Sequence, residues 1–373
     1  MSPRPDRLVF VSSVTAGGSG RSQRELARRL RDRGWDVVIV SDDHRTAFPR
    51  RGLADRLLDG AVRFEGNPLG AVFRALRRVI AGRSSSGELD GVPHVFSLAP
   101  ELHLPGLLSP APTAVVASSI ARPAWTTILA HCAEAGIPTA LYLREDEALR
   151  HLPDRAGDHT IANSETLVAG AAARGVDAAF VPSVIELDPM PVPPRAEVAL
   201  LVNPVATHGL DRVAPLATAR PDIPIVLQES WPLSEAQRGA VDDLTRRFPN
   251  VAFRSRRDPS VLFDDTRLLL VPHEIDNRPR TVLEAQVNGI PAIATDQPGL
   301  REQVGDAGVL LPLDADDRAW ADAVGTVWDD DARRDALGQT ALAWATRDEI
   351  DPDAVTDRFL AVLGLPSHPD ARD

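Results

Sequence analysis

The sequence predicts an α/β chain of two Rossmann-like βαβ domains facing across a cleft. Three observations carry this. Short, nearly continuous apolar runs alternate with helical stretches through both halves of the chain, the pattern of parallel strands covered on both faces. The alternation breaks once, at Glu186-Leu-Asp-Pro-Met-Pro-Val-Pro-Pro-Arg195, whose four prolines block both helix and ladder and read as a linker. Charge also divides unequally: residues 1–190 carry 22 Arg against 22 Asp and Glu, and residues 191–373 carry 19 against 31. The expected domains are therefore 1–190 and 191–373.

The first apolar run, Leu8–Ser12, leads into Thr15-Ala-Gly-Gly-Ser-Gly20-Arg-Ser22. Ser22 with Glu25 three residues later is a capping-box pattern and sets the expected helix start at Ser22, with Gly34 ending the helix. Gly17, Gly18 and Gly20 would let backbone amides approach an anion, and the same glycines would serve a tight strand-to-helix turn. A dinucleotide fingerprint fits poorly, because a third glycine is needed where Gln23 stands. Asp42 and Asp43, after the run Asp36–Val40, keep a nicotinamide-dependent oxidoreductase as a rival reading. Residues 45–110 are the least patterned, apart from an Arg-rich amphipathic stretch from Arg63 through Arg78 that suits a solvated helix face or an anionic surface. Strands follow at Ala114–Ala117 and Thr139–Leu143. Between them the lone Cys132 lies in an apolar helical stretch and reads as a buried thiol. Glu145, Asp146 and Glu147 follow the second of these strands.

The second half repeats the plan, with runs at Val198–Val202, Ile225–Leu227, Val251–Phe253, Leu268–Val271 and Ala292–Ala294. From Leu270 to Asp296 the chain reads strand, loop, helix, strand. Pro279 is suited to the first helical position and Gly289 to the left-handed residue that ends the helix. Asp276 then lies in the loop before the helix and Glu284 in its second turn, so both acids can face one pocket. Gln297-Pro-Gly-Leu-Arg-Glu302 opens another helix and offers the amides of Gly299, Leu300 and Arg301 to an anion. Asp314-Ala-Asp316 follows a terminal strand in an acidic stretch and reads as surface, not as a metal site. The histidines lack zinc-ligand spacing.

Composition narrows the chemistry. The 373 residues include 41 basic side chains, every one arginine, against 53 acidic ones, a net charge of −12. Without lysine there is no Schiff-base lysine, no pyridoxal-phosphate site of the usual kind and no Walker A loop. The negative charge makes nucleic acid an unfavourable partner. No apolar run reaches the ~20 residues of a membrane span, and the N-terminus has no signal-peptide pattern, so no integral membrane contact and a cytoplasmic location are expected.

The ordered set Asp276-x7-Glu284, Ala285, Gly289, Pro291, Ala294-Thr295 and Pro298-Gly299-Leu300-Arg301-Glu302 resembles the retaining nucleotide-sugar glycosyltransferases of family four, which have the GT-B fold. The first glycine turn, Ile161-Ala-Asn-Ser-Glu165 and Val202-Asn-Pro…His208-Gly-Leu-Asp211 extend the resemblance. It implies a metal-independent hexosyl transfer from a nucleotide diphosphate sugar such as a UDP-sugar, with no separate cofactor. The acceptor would be a small molecule, for example a secondary metabolite in natural-product biosynthesis.

By this resemblance Glu284 binds ribose hydroxyls, Pro298, Gly299, Leu300 and Arg301 hold the diphosphate, and Gly17 and Gly18 close on it from the first domain. The first acid is Asp276, one methylene shorter than the usual glutamate, with Glu274 in competition. Where the family places arginine and lysine, this chain has Asn203-Pro204 and His208. The missing cation falls either to a protonated His208 or to Arg278 and Arg280. Arg144 and Glu145 stand on the acceptor side. The C-terminal helix, about Pro352 to Leu363, is expected to pack back on the first domain, as in relatives. A GT-B protein that binds without catalysing is the second reading.

Overall fold

In the computed structural model the described residues are 6–13, 17–41, 68–81, 84–145, 148–149, 152, 157–186, 197–256 and 261–369. The chain forms two compact units, one of Met1–Val184 with Pro352–Asp373 and one of Ile185–Asp351. The expectations placed on Asp42, Asp43, Arg63, Asp146, Glu147 and most of the proline linker lie outside the described residues.

The first unit holds β1 (Arg7–Ser12), α1 (Gly17–Asp32), β2 (Asp36–Ser41), α2 (Pro68–Ala81), β3 (Ser84–Leu89), β4 (Val92–Ser97), β5 (Ala114–Ser118), α3 (Arg122–Ala135), β6 (Thr139–Leu143), β7 (His159–Ala162), α4 (Glu165–Ala172) and β8 (Ala179–Phe180). Its sheet runs β3-β4-β2-β1-β5-β6-β7-β8. All pairings are parallel except β3 with β4, which are antiparallel. This edge hairpin adds one antiparallel strand to an otherwise parallel sheet. Asp90-Gly91, with φ of 52° and 75°, supplies the two left-handed residues that a tight hairpin turn requires.

Alternation along β1 explains its apolar run. Leu8 and Phe10 face Leu26 and Leu30 of α1, while Val9 and Val11 face Trp125, Ile128 and Cys132 of α3. Both faces are covered, so neither set is polar. The C-terminal helix Pro352–Val362 belongs to this unit. Its Phe359 is fully buried and stacks on Phe10 at 5.9 Å. Arg29 of α1 and Arg33 in the turn after it clamp the helix through Asp353 at 2.7 Å and Asp357 at 2.5 Å, and Arg33 and Arg29 hold the Asp353 carboxyl below the usual range.

The second unit holds β9 (Val198–Val202), α5 (Val213–Ala219), β10 (Ile225–Gln228), α6 (Glu235–Arg247), β11 (Val251–Arg254), β12 (Thr266–Val271), α7 (Arg280–Val287), β13 (Ala292–Thr295), α8 (Pro298–Val304), β14 (Gly308–Leu311), α9 (Asp317–Trp328) and α10 (Asp331–Trp344). Its sheet is parallel throughout, in the order β11-β10-β9-β12-β13-β14. Strand order reverses direction between β9 and β12. Beyond the carboxyl ends of two such strands their loops diverge to opposite faces and leave a crevice, the usual ligand position in an open α/β sheet.

Candidate functional site

In the second unit the loops after β9 and β12 meet at this switch point. Glu274 N–H donates to Thr207 O at 2.9 Å. Gly209 adopts φ +76°, and a Cβ there would lie 2.2 Å from Pro272 O, so only glycine permits the approach.

This contact brings together two histidines 65 positions apart. His208 and His273 stack at 4.1 Å, and Trp231 meets His208 edge-on at 5.5 Å. Burial lowers the His208 pKa against its bonds to the backbone of Val202 and Asn203. His273 is pulled down to about 3, first by burial and then by His208, against the hydrogen bond it donates to Asn277. Its Nδ1 lies 3.0 Å from Asn277 Oδ1, which assigns the proton to Nδ1 in the neutral ring. Two stacked neutral rings leave no place for the expected His208 cation. The Nδ1 of His208 is buried without a hydrogen-bond partner among the described residues.

The two acids take different partners. Asp276 Oδ1 accepts the Gly299 amide at 2.8 Å, so a carboxylate from the loop after β12 caps the N-terminus of α8, where negative charge is favoured. A Cβ on Gly299 would meet Asn277 O at 2.7 Å. Gln297 Nε2 ties the same turn to His273 O at 2.6 Å. The Arg301 amide instead donates to Gln297 O in the first helical hydrogen bond. That corrects the expected triplet of anion-facing amides: Gly299 is occupied by Asp276 and Arg301 by the helix itself. Leu300 is buried and Pro298 exposed. Glu274 is exposed, whereas Asp276 is half-buried at the turn.

The helix carrying Glu284 begins one residue later than expected, since Pro279 is its N-cap and Arg280 its first residue. It ends as expected, with Gly289 at φ +64°. Arg280 Nε donates to Glu284 Oε1 at 2.8 Å, both side chains being largely buried. Arg278 turns elsewhere: its Nε donates to Gln303 Oε1 at 2.9 Å and its Nη2 to Glu349 Oε1 at 2.7 Å. Arg301 makes an exposed pair with Asp296 at 2.7 Å. Asn203, at φ 59°, uses its Oδ1 to accept from Ser230 N at 3.1 Å and Ser230 Oγ at 2.5 Å, a turn-forming role.

Within the first unit α1 begins at Gly17, not Ser22. Ser22 is buried within it, and Glu25 pairs with Arg21 at 3.0 Å, so the capping-box pattern is not used as a cap. Gly17 and Gly18 lie in the first turn, where helical amides lack internal partners. Ser19 Oγ lies 2.9 Å from Ser119 Oγ, joining this turn to the loop after β5. The Arg144 guanidinium stacks 4.1 Å over Tyr142 and donates to Ser183 Oγ at 3.0 Å; Glu145 is exposed. Cys132 is buried and its thiol is pushed up to about 12 by desolvation. Asp316 caps α9 through Ala319 N at 2.8 Å.

Sequence reading missed His273, Trp231, Asn277 and Gln297. His273 stands inside the motif, three residues before Asp276, and its pairing with His208 needed only the rule that loops at a switch point converge.

Comparison with known proteins agrees with this fold. Sucrose-phosphate synthase from Thermosynechococcus elongatus has 14% identity and a TM-score of 0.73, covering 96% of this chain and 98% of that one. Anabaena Alr3699/HepE, solved in complex with UDP-glucose, has 14% identity and a TM-score of 0.72 over 96% and 99%. The pneumococcal O-GlcNAc transferase GtfA, solved with UDP and GlcNAc, has 10% identity and a TM-score of 0.67 over 96% and 98%. No curated protein matches by sequence. The fold is GT-B, with two Rossmann-like domains, and residues 249–344, which include Asp276, Glu284 and the α8 turn, match the family model of glycosyl transferases group 1.

Proposed function

We infer that the protein is a retaining, metal-independent glycosyltransferase that moves a sugar from a nucleotide diphosphate sugar to a small-molecule acceptor. The observation that carries this is Asp276 capping the Gly299 turn, one helix away from the Arg280–Glu284 pair, inside the segment that matches the group 1 model. Relatives of the same fold solved with UDP-glucose or with UDP and GlcNAc support the donor class. As the glycosidic bond to the diphosphate breaks, positive charge grows on the sugar and negative charge on the leaving group. The enzyme must stabilise both in fixed geometry.

In this reading Glu284 takes the ribose hydroxyls and Arg280 faces the diphosphate when donor enters. The Gly299 and Leu300 amides hold the phosphates once Asp276 turns to the sugar hydroxyls. Arg278 supports the α8 turn through Gln303 instead of touching donor. Gly17 and Gly18 are further donor-binding residues, and Arg144 and Glu145 bind the acceptor. His208 acts as a neutral hydrogen-bonding ring.

Calorimetry with a panel of nucleotide sugars, followed by anomeric analysis of the product, tests the assignment. Binding and transfer with retained configuration, unaffected by chelator and lost in Glu284→Ala, are expected. Asp276→Ala should lose turnover and Glu274→Ala keep it. A product of inverted configuration refutes the retaining step. One observation favours a second reading, a GT-B binding subunit without catalysis: Arg278, Arg280 and Arg301 all carry acidic partners. Nucleotide-sugar binding without any product would select it.

A further inference from the structure

We propose that Glu349 is a positioning residue for glycosyl transfer, which acts through Arg278 to fix the loop that presents Asp276. The proposal rests on the transferase reading above and adds to it a residue outside the segment 249–344 that matches the group 1 model. Arg278 stands two residues after Asp276 and directly before Pro279, the N-cap of α7, so its side chain sets where the loop after β12 ends. That side chain is 5% exposed. Its Nε donates to Gln303 Oε1 and its Nη2 to Glu349 Oε1. Gln303 belongs to α8, the helix whose Gly299 amide Asp276 accepts. The loop is thus tied to α8 twice, by Asp276 and by Arg278. Glu349 comes from a separate short turn, Asp348–Ile350. Ile350 of that turn is buried with Leu283 of α7, Ala345 and Ile185, so the carboxylate is delivered from a seated backbone.

Charge makes Glu349 the deciding partner. Arg347 lies on its other side, with Nε 4.0 Å from the same Glu349 Oε1 and the guanidinium 4.5 Å over the Trp344 ring. The buried Nε and Nη2 of Arg347 have no hydrogen-bond partner among the described residues. Burial, and then the charge of Arg278, pull Arg347 down to about 10 against Glu349. One carboxylate therefore stands between two guanidiniums. Neutralising it leaves Arg278 facing the like charge of Arg347, and Gln303, a neutral acceptor, holds a guanidinium less strongly than a carboxylate does. The consequence falls on Asp276, two residues away: misplacing a reacting geometry by about 1 Å can cost about a hundredfold in rate.

The test uses the full chain, first alone and then with UDP-glucose. Glu349→Gln keeps the shape of the side chain and removes its charge. In this variant hydrogen exchange at the Glu274 and Gly299 amides, held by Thr207 O and Asp276 Oδ1, should quicken about tenfold. Exchange in β9 and β10 should stay at wild-type rates. UDP release from UDP-glucose, with water as acceptor, should show kcat lowered about tenfold and KM within about twofold of wild type. Asp348→Asn, at the neighbouring exposed acid, should change neither measurement. In an Arg278→Met background Glu349→Gln should have no further effect, since a residue that acts through Arg278 then has nothing to hold. Wild-type exchange at both amides in Glu349→Gln overturns the proposal. So does a loss of kcat that multiplies the loss caused by Arg278→Met. A wild-type chain that releases no UDP counts against the transferase reading instead, and the exchange rates then decide the role of Glu349 by themselves.

Discussion

The stacked histidines make a quantitative prediction. His273 is neutral in the folded protein down to a pH of about 3, whereas in the unfolded chain it titrates near ~6.5. Its folded pKa lies below its unfolded one, so the unfolded state binds the extra proton as pH falls. The linked stability is complete above about 6.5 and declines toward about 3. At ~1.4 kcal/mol per pH unit, lowering the pH from neutrality to 5 costs about 2 kcal/mol through this ring alone. His208, also shifted down, adds to the loss with the same sign. His273→Gln removes the titrating ring. At pH 7.5 the variant should be less stable than wild type, having lost the stack and fitted packing. At pH 5 that difference should narrow by about 2 kcal/mol, read from urea midpoints of both proteins at both pH values. Other acid-sensitive groups cancel in the comparison. A difference that stays constant between pH 7.5 and 5 would show that His273 is not held neutral and would refute the account of the stack.

Three further outcomes follow from the geometry. Glu284→Gln should destabilise by about 3 kcal/mol by leaving Arg280 as a buried charge without its carboxylate; Arg280→Met/Glu284→Gln should recover most of that in thermal unfolding yet still fail to bind nucleotide in calorimetry. Gly299→Ala drives a methyl toward Asn277 O and Asp276 Oδ1, so a loss of about 1–3 kcal/mol is expected, with weaker nucleotide binding as its companion; wild-type values for both would show that the turn is not tight. Phe359→Ala should cost about 3–5 kcal/mol, visible as a lower transition of the first unit, because the ring is fully buried against Phe10 and Tyr142.

Most of the sheet framework was legible because strands covered on both faces leave unbroken apolar runs. Thr139–Leu143 and Val198–Val202 are observed with the expected bounds. The β3 hairpin strand escaped because Ser84-Ser-Ser-Gly-Glu-Leu89 is exposed from Ser84 to Glu88 and carries no apolar alternation; its Asp90-Gly91 turn was the only legible mark. The start of α1 was misplaced because a Ser-x-x-Glu pattern caps a helix only where the chain is not already helical, and the glycines before it had entered the helix. Arginine partners were the hardest to read. Arg278 and Arg280 are two residues apart, yet one turns to Glu349 and the other to Glu284, a choice made by backbone direction at Pro279 and by what tertiary folding places within reach.

The C-terminal helix has a consequence for biosynthesis. The second unit is one continuous stretch, Ile185–Asp351, and the first is assembled from segments on either side of it. As the chain leaves the ribosome, the strands of the first unit appear early, but the Phe359 ring that completes their core emerges only after the whole second unit has been made. The unit synthesised first is therefore the one finished last. Until Pro352–Val362 arrives, the face of β1 around Phe10 stands open to chaperones or to misassembly, and the later-born domain can fold while the earlier one waits.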